Sequence, residues 1–237
     1  CTISFVTLNY IDYTRFAEFS HAILEREIEG IRKRLSVGNK SILYHASTDI
    51  IKKSQDKITT YSWKKYDAEL KYSDLNEYEK KIYNSFLQTT AINPNYDLIY
   101  LITSNGHYLQ SPEGVLKYPV YDLREKSWYK ELVKTDKKYV FTSPYRSIFG
   151  NMVISIMSRM HDASGAMIGV IGINYILDEL IQELESKIIQ HTGYLVVFDK
   201  DGNVIIDGNK HDNHSVNYEL PKIRLLEEIF NNQNETY

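Results

Sequence analysis

The chain of 237 residues has a single cysteine, Cys1, which excludes an internal disulfide and a cysteine-based metal site. One thiol neither demands nor excludes an oxidising compartment. Basic charge is not in excess. The 28 Lys and Arg stand against 31 Asp and Glu, a net charge of -3, so nothing supports a nucleic-acid partner. No run approaches the roughly 18 to 20 apolar residues that span a bilayer. If the chain comes from a membrane protein, only its soluble part is expected here. Cys1 and the apolar segment ISFVTL leave two readings open, a cloning remnant or the trimmed edge of a membrane-flanking region.

Enzyme signatures are missing too. The sequence has no GxGxxG, no GxxxxGK[ST] and no HExxH, and no GxSxG to suggest a nucleophile elbow. The seven histidines form no ligand pattern; the nearest pair, His211 and His214 in KHDNH, lies in a polar loop. DKDG, at Asp199 to Gly202, resembles part of a calcium loop but lacks the later ligands and the closing Glu, so it reads as a hairpin turn. No metal, no cofactor and no catalytic residue is expected. The chain reads as a binding domain, not an enzyme.

A hydrophobic fraction of 43% and a charged fraction of 25% are ordinary for a globular protein of one large domain or two small ones. Twenty tyrosines are not ordinary. Tyrosine suits places where one end of a side chain is dry and the other wet.

Along the chain, a helical stripe runs from Asp12 to about Leu35 through Phe16, Phe19, Ile23, Ile28, Ile31 and Leu35, with VGNKS as its expected terminus. Ser36 to Thr60 reads as short helical pieces and loops. A second helix is expected from Asp74, where Asp74 and Glu77 have capping-box spacing and Leu75, Tyr78, Ile82, Phe86 and Thr89 form the stripe. The period then changes to that of strands. YDLIYLIT (Tyr96 to Thr103), the SNGH turn and HYLQ form a hairpin, and MVISIMSRM, DASG and AMIGVIGIN form another. Between them Ser127 is placed to cap a short helix carrying Trp128, Leu132 and Val133 on one side. Ile176, Leu177, Leu180, Ile181, Leu184 and Ile188 mark a third long helix, after which GYLVVFDKDGNVIIDGN repeats the strand-turn-strand plan. A last helix is expected from Glu219 to Phe230.

The segment from Tyr118 to Asn174 is the candidate site. It gathers Arg124, Lys126 and Arg146 among Tyr118, Tyr121, Trp128, Tyr129, Tyr139 and Tyr145. In an extended segment Asp122, Arg124, Lys126 and Trp128 share one face. A cation beside an indole and phenols suits a small ligand with a carboxylate, the charge fixing the anion and the rings excluding water. Arg124 has an alternative use, pairing with Asp122 or a buried carbonyl.

Three ordered segments, YDLREKSWYKEL, TSPYRSIFGNMVISI and DASGAMIGVIGINYIL, resemble the double Cache sensor domain. This is the extracytoplasmic ligand-binding region of bacterial chemoreceptors, sensor histidine kinases and some diguanylate cyclases. The family pattern is approximately YDxRxRxWY, PYxDxxTGxxVIT and DGxxxGVxGxDI. The match covers about Tyr96 to Gln190, and GYLVVFDKDGNVI fits the start of the membrane-proximal module. The resemblance implies an α+β fold, a long N-terminal helix followed by two PAS-like modules with antiparallel sheets, the second incomplete. The helix and its helical connection occupy 1–60, the membrane-distal ligand-binding module 61–174, a connecting helix 175–190 and the partial membrane-proximal module 191–237.

The site residues implied by the resemblance are Tyr121, Lys126, Trp128, Tyr145, Ser147 and Asn174, with Asp122 and Arg124 as structural members of the motif and Arg146 as a candidate second cation. Lys126 stands where the pattern has its second arginine; it keeps the charge and loses the bidentate fork. Ser147 and Asn174 stand where the pattern has the aspartates that hold an ammonium group. A buried cation without a counter-charge is expensive, so the expected ligand is a small hydroxy or keto acid in preference to an amino acid. The implied protein is a membrane-anchored methyl-accepting chemotaxis receptor, its sensor domain outside the cytoplasm and dimeric through the long helix. A histidine kinase or cyclase sensor is the alternative on the same fold, and a secreted solute-binding protein or enzyme is the alternative of another class.

Overall fold

The computed structural model describes residues 2–62, 69–115, 122–185, 196–198 and 204–207. The chain divides into two compact units, Cys1–Asp178 and Glu179–Tyr237. In the first unit α1 (Thr2–Ser47) leads into a short α2 (Asp49–Lys52), then β1 (Tyr61–Ser62), β2 (Glu69–Leu70) and α3 (Glu77–Ile92). β3 (Tyr96–Thr103), β4 (His107–Ser111) and β5 (Gly114–Val115) follow. Then come α4 (Ser127–Lys134), β6 (Val140–Phe141), β7 (Tyr145–Arg146), β8 (Met152–His161) and β9 (Met167–Ile176). α5 (Asp178–Glu185) begins at the boundary. In the second unit β10 (Val196–Phe198) and β11 (Val204–Asp207) pair antiparallel. The helix expected over Glu219 to Phe230 lies outside the described residues.

A seven-stranded antiparallel sheet runs in the order β1-β4-β3-β9-β8, with β6 and β7 both on the outer edge of β8. Register assigns its two faces. Ile99, Ile173 and Ile156 lie level across β3, β9 and β8, as do Leu101, Ile171 and Ser158, on the face that meets α1. On the opposite face Leu98, Asn174 and Ser155 lie level, as do Tyr100, Gly172 and Met157. One side is therefore an aliphatic core, while the other mixes polar groups, rings and a glycine. The second is the richer in donors and acceptors; on the first, Ser158 gives its hydroxyl to the Lys138 carbonyl.

Two helices cover the aliphatic face. α1 packs on β8 and β9, and the cause of its close approach is Gly38, where a Cβ would come within 2.4 Å of Ile156 Cδ1. The sequence signal VGNKS, expected to end the helix, is instead the point at which the helix meets the sheet, and α1 continues to Ser47. α3 lies beside α1. His45 Nε2 and Thr89 Oγ1 are 2.9 Å apart, and the His45 ring stands edge-on to Phe86 at 5.2 Å. The start of α3 also differs from expectation. The capping box is Asn76 with Glu79, not Asp74 with Glu77, because Glu79 is buried and its carboxylate also accepts from the backbone of Thr59 and Thr60.

The earlier part of α1 is not covered: between Glu18 and Gly30 no described residue is buried. Phe19 is 50% exposed and Ile28 39%. The apolar stripe read from the sequence is therefore not consumed by packing on the sheet.

Turn chemistry fixes both hairpins. Gly106 closes the β3–β4 turn with φ of 88°, a conformation that favours glycine. Asp162 accepts from the backbone of Ser164 and Ala166 across the β8–β9 turn.

Candidate functional site

The polar face is built around the Tyr145 hydroxyl. Tyr145 is level with Val153 of β8, so its side chain is on the face that carries Ser155. The residue keeps 39% of its surface exposed, but its hydroxyl lies 2.7 Å from Ser155 Oγ and donates to Asn174 Oδ1 at 2.9 Å. Ser155 Oγ also donates to Asn174 Oδ1, at 2.7 Å. Burial, first of all, pushes the Tyr145 phenol above its ordinary value; the bonds to Ser155 and Asn174 oppose that shift, and the charge of Asp97 adds to it. Ser155 and Asn174 are themselves almost fully buried.

Further along the same face, Tyr108 donates to Gln110 Oε1 at 2.8 Å, and Gln110 Nε2 donates to the Pro112 carbonyl at 3.1 Å. The Tyr100 and Tyr108 rings stack 6.1 Å apart. Gly172 makes room for Tyr100, whose ring would lie 2.4 Å from a Cβ at that position. A side chain there would force the ring off the sheet.

α4 and the segment before it lie on this side of the sheet. α4 packs against β8, and Arg159 reaches from β8 to the carbonyls of Thr135 and Lys137 just beyond the helix. Lys126 is the N-cap residue of α4 and is half-buried, as is Trp128 one turn-start later. Ser127, expected as the cap, is instead the first helical residue. The helix turns Tyr129 and Leu132 inward and leaves Val133 41% exposed. Trp128 and Tyr129 have ring centroids 5.9 Å apart.

The remaining residues named from the sequence divide into three groups. Asp122 and Arg124 are held to each other. Arg124 Nε donates to both Asp122 oxygens at 2.9 and 2.8 Å, and another guanidinium N–H donates to the Ser104 carbonyl, tying this segment to the β3–β4 turn. Burial would raise the Asp122 carboxyl, but the side-chain and backbone bonds from Arg124 and its charge hold it below the ordinary carboxylate range. Ser147 and Arg146 belong to the β7–β8 turn. The Ser147 N–H donates to the Asn151 carbonyl at 2.9 Å, its Oγ accepts from Phe149 N–H at 3.2 Å, and Arg146 donates to the Gly150 carbonyl at 3.0 Å. Tyr121 lies outside the described residues.

The structure thus joins Tyr145 to Asn174 and adds Ser155, Gln110, Tyr100 and Tyr108, none of which the sequence reading named. Their signal was the two-residue alternation of β3, β4 and β8, which marks a shared face. It could not say which face was covered by helices. Among the described residues no group of three His, Cys, Asp or Glu is placed to hold a metal ion, and no helix is long and apolar enough to cross a membrane.

Comparison with known proteins agrees with this architecture. McpA, a methyl-accepting chemotaxis protein of Bacillus subtilis, is 32% identical over 131 residues, which are 54% of this chain and 19% of that protein. The ligand-binding domain of the Pseudomonas fluorescens chemoreceptor CtaA, solved with L-serine, superposes with a TM-score of 0.55 at 22% identity, covering 79% of this chain and 70% of that one. That of the Pseudomonas aeruginosa amino acid chemoreceptor PctC, solved with GABA, gives a TM-score of 0.57 at 17% identity, covering 82% and 76%. The chain spans about a fifth of the length of the curated relatives it matches, 18% in the Bacillus thuringiensis case. The Cache domain model matches residues 20–234, and the chain belongs to that family.

Proposed function

We propose that this chain is the extracytoplasmic sensor region of a membrane-anchored chemotaxis receptor and that it binds a small carboxylate-containing molecule. Family membership supports the sensor role, and the matched relatives are methyl-accepting chemotaxis proteins. The observation that carries the ligand reading is the asymmetry of the sheet. Its α1 side is filled mainly with Ile and Leu, whereas the α4 side buries Ser155, Asn174 and Gln110 among tyrosine rings, with the hydroxyl of the partly exposed Tyr145 bonded to Asn174. Ligand pockets typically set a few placed polar groups among apolar and aromatic side chains, the composition of this face. Lys126 and Trp128 open the helix that lies over it, and Lys126 provides the charge for a carboxylate.

Preference for a hydroxy or keto acid, expected from Ser147 and Asn174, gains no support. The solved chemoreceptor domains of similar fold are complexes with amino acids, L-serine and GABA among them. The class taken here is therefore small carboxylates without that restriction.

Binding would act by favouring one arrangement of the first unit, a bias that α1 is stiff enough to carry. Association of two copies through the uncovered part of α1 belongs to the same proposal, since Phe19, Leu24 and Ile28 are exposed there. The test is calorimetric titration of the chain with a panel of amino and hydroxy acids and their methyl esters. Saturable binding of acids with no binding of the esters is expected. Absence of binding across the acids would refute the ligand reading.

A further inference from the structure

The turn between β7 and β8 is a strap across one end of the polar face. Backbone bonds close it on itself: Ser147 N–H donates to the Asn151 carbonyl at 2.9 Å, and Gly150 N–H to the Ser147 carbonyl at 3.0 Å. Gly150, with φ of 89°, lets the chain reverse, so Ile148 and Phe149 form the tip. The strap is fastened twice on its way across. Asn151 Nδ2 donates to Asp97 Oδ1 at 2.5 Å, at the head of β3. The Phe149 ring ends against Gly114, just past β4 and so on the far side of β9 and β3 from the strand that carries the turn.

That second contact is a ring in a seat. A Cβ at Gly114 would lie 3.1 Å from both Cε1 and Cζ of Phe149 and 3.2 Å from Gln110 Nε2. Gly114 does not take the left-handed conformation, and a glycine weakens a strand, so the turn chemistry of β5 does not account for it. Clearance for the ring does. The contact is made by the outer atoms of the ring, and a short side chain at 149 would leave the seat empty; the motif pattern PYxDxxTG has Thr at this position. Gln110 beside the seat is fully buried, whereas Phe149 keeps 42% of its surface exposed. The ring therefore stands between the Gln110 end of the polar face and solvent.

We propose that Phe149, seated on Gly114, is the end wall of the ligand face and sets the longest carboxylate that the protein accepts. The proposal rests on the carboxylate-binding reading above and adds to it a specificity-determining residue. The limit is sharp because the strap is held by its own backbone bonds and by Asp97. A longer ligand meets a wall that does not retreat, and forcing extra methylenes against fixed packing is costly.

The experiment is calorimetric titration of the chain, Phe149→Ala and Phe149→Leu with two straight-chain series, acetate to hexanoate and glycine to norleucine, folding being checked by circular dichroism. In the unmodified chain one added methylene is expected to cost about 10-fold or more in affinity at the limiting length. Phe149→Ala is expected to recover about 10-fold or more for the first rejected acid, and Phe149→Leu less. The shortest acids should change by less than about 3-fold in both variants, since the carboxylate end is untouched. An unmodified chain with no length limit overturns the proposal. So does a folded Phe149→Ala that keeps the parent's limit, or that weakens every length alike as a purely structural knob would. The carboxylate reading stands in each of these cases. Where Phe149→Ala does not fold, Phe149→Leu with the parent's limit overturns the proposal in its place. If the unmodified chain binds neither series, the carboxylate reading fails and takes the proposal with it.

Discussion

At Lys126 the charge of the proposed site rests on one side chain at the cap of a short helix. Lys126→Ala removes that charge and little buried surface, since the residue is only half-buried. Affinity for a bound carboxylate is expected to fall about 30-fold, the range for a hydrogen bond to a charged group. The thermal midpoint is expected to stay within a few degrees of the parent, as for most surface substitutions. Calorimetry with circular dichroism on the same sample reads both quantities; global unfolding of Lys126→Ala would make the residue structural. Arg124 differs. It spends its guanidinium on Asp122 and the Ser104 carbonyl, and in that position it fixes the segment leading into α4.

Between elements, the contact of α1 with α3 contains a titratable group. Burial lowers His45 from an ordinary value of 6.5 to about 4. The folded protein therefore holds this ring neutral at pH values where the unfolded chain would protonate it. The sign follows: the unfolded state binds the extra proton, so stability is intact above about pH 6.5 and is lost as the pH falls toward 4. The full loss is about 3 kcal/mol at 1.36 kcal/mol per pKa unit. Urea unfolding across that window should show the fall in the parent and a shallower one in His45→Gln, the difference isolating His45 from the carboxylates that titrate lower. Parallel slopes in the two proteins would mean the ring is solvated in the folded state.

For the whole molecule, the open question of assembly falls on the uncovered part of α1. At 46 residues α1 is roughly 70 Å long at 1.5 Å per residue, longer than any strand it packs on. Exposed apolar residues on such a helix suit pairing with a second copy. Light scattering after size exclusion should show a concentration-dependent dimer for the chain and a monomer for the double variant Phe19→Glu, Ile28→Glu. A parent that stays monomeric at high micromolar concentration rules this pairing out. The fold itself should persist in the double variant, since neither residue is buried.

The order of helix and strand segments was legible from local pattern: hairpins announced by SNGH and DASG, period-two strands, and ordered motifs that specify a Cache domain. Local pattern misplaced the end of α1. A glycine signals a terminus in isolation, and only the approach of Ile156 shows that Gly38 is there for clearance. The cap of α3 slipped by two residues for a similar reason: Asn76 with Glu79 wins because the Glu79 carboxylate also satisfies Thr59 and Thr60, which are distant in sequence. Tyr145 and Asn174 could be named from motif positions, but that they share one hydroxyl-amide cluster with Ser155 depends on strand register. The seat of Phe149 on Gly114 could not be found at all from sequence spacing, because a ring at a turn tip looks like any exposed side chain. The seat exists only once β4, β5 and β8 are assembled. Sequence alone thus carried the family and the succession of elements, both written in short-range spacing; which face of the sheet gathers the polar groups came from contacts between segments far apart in the chain.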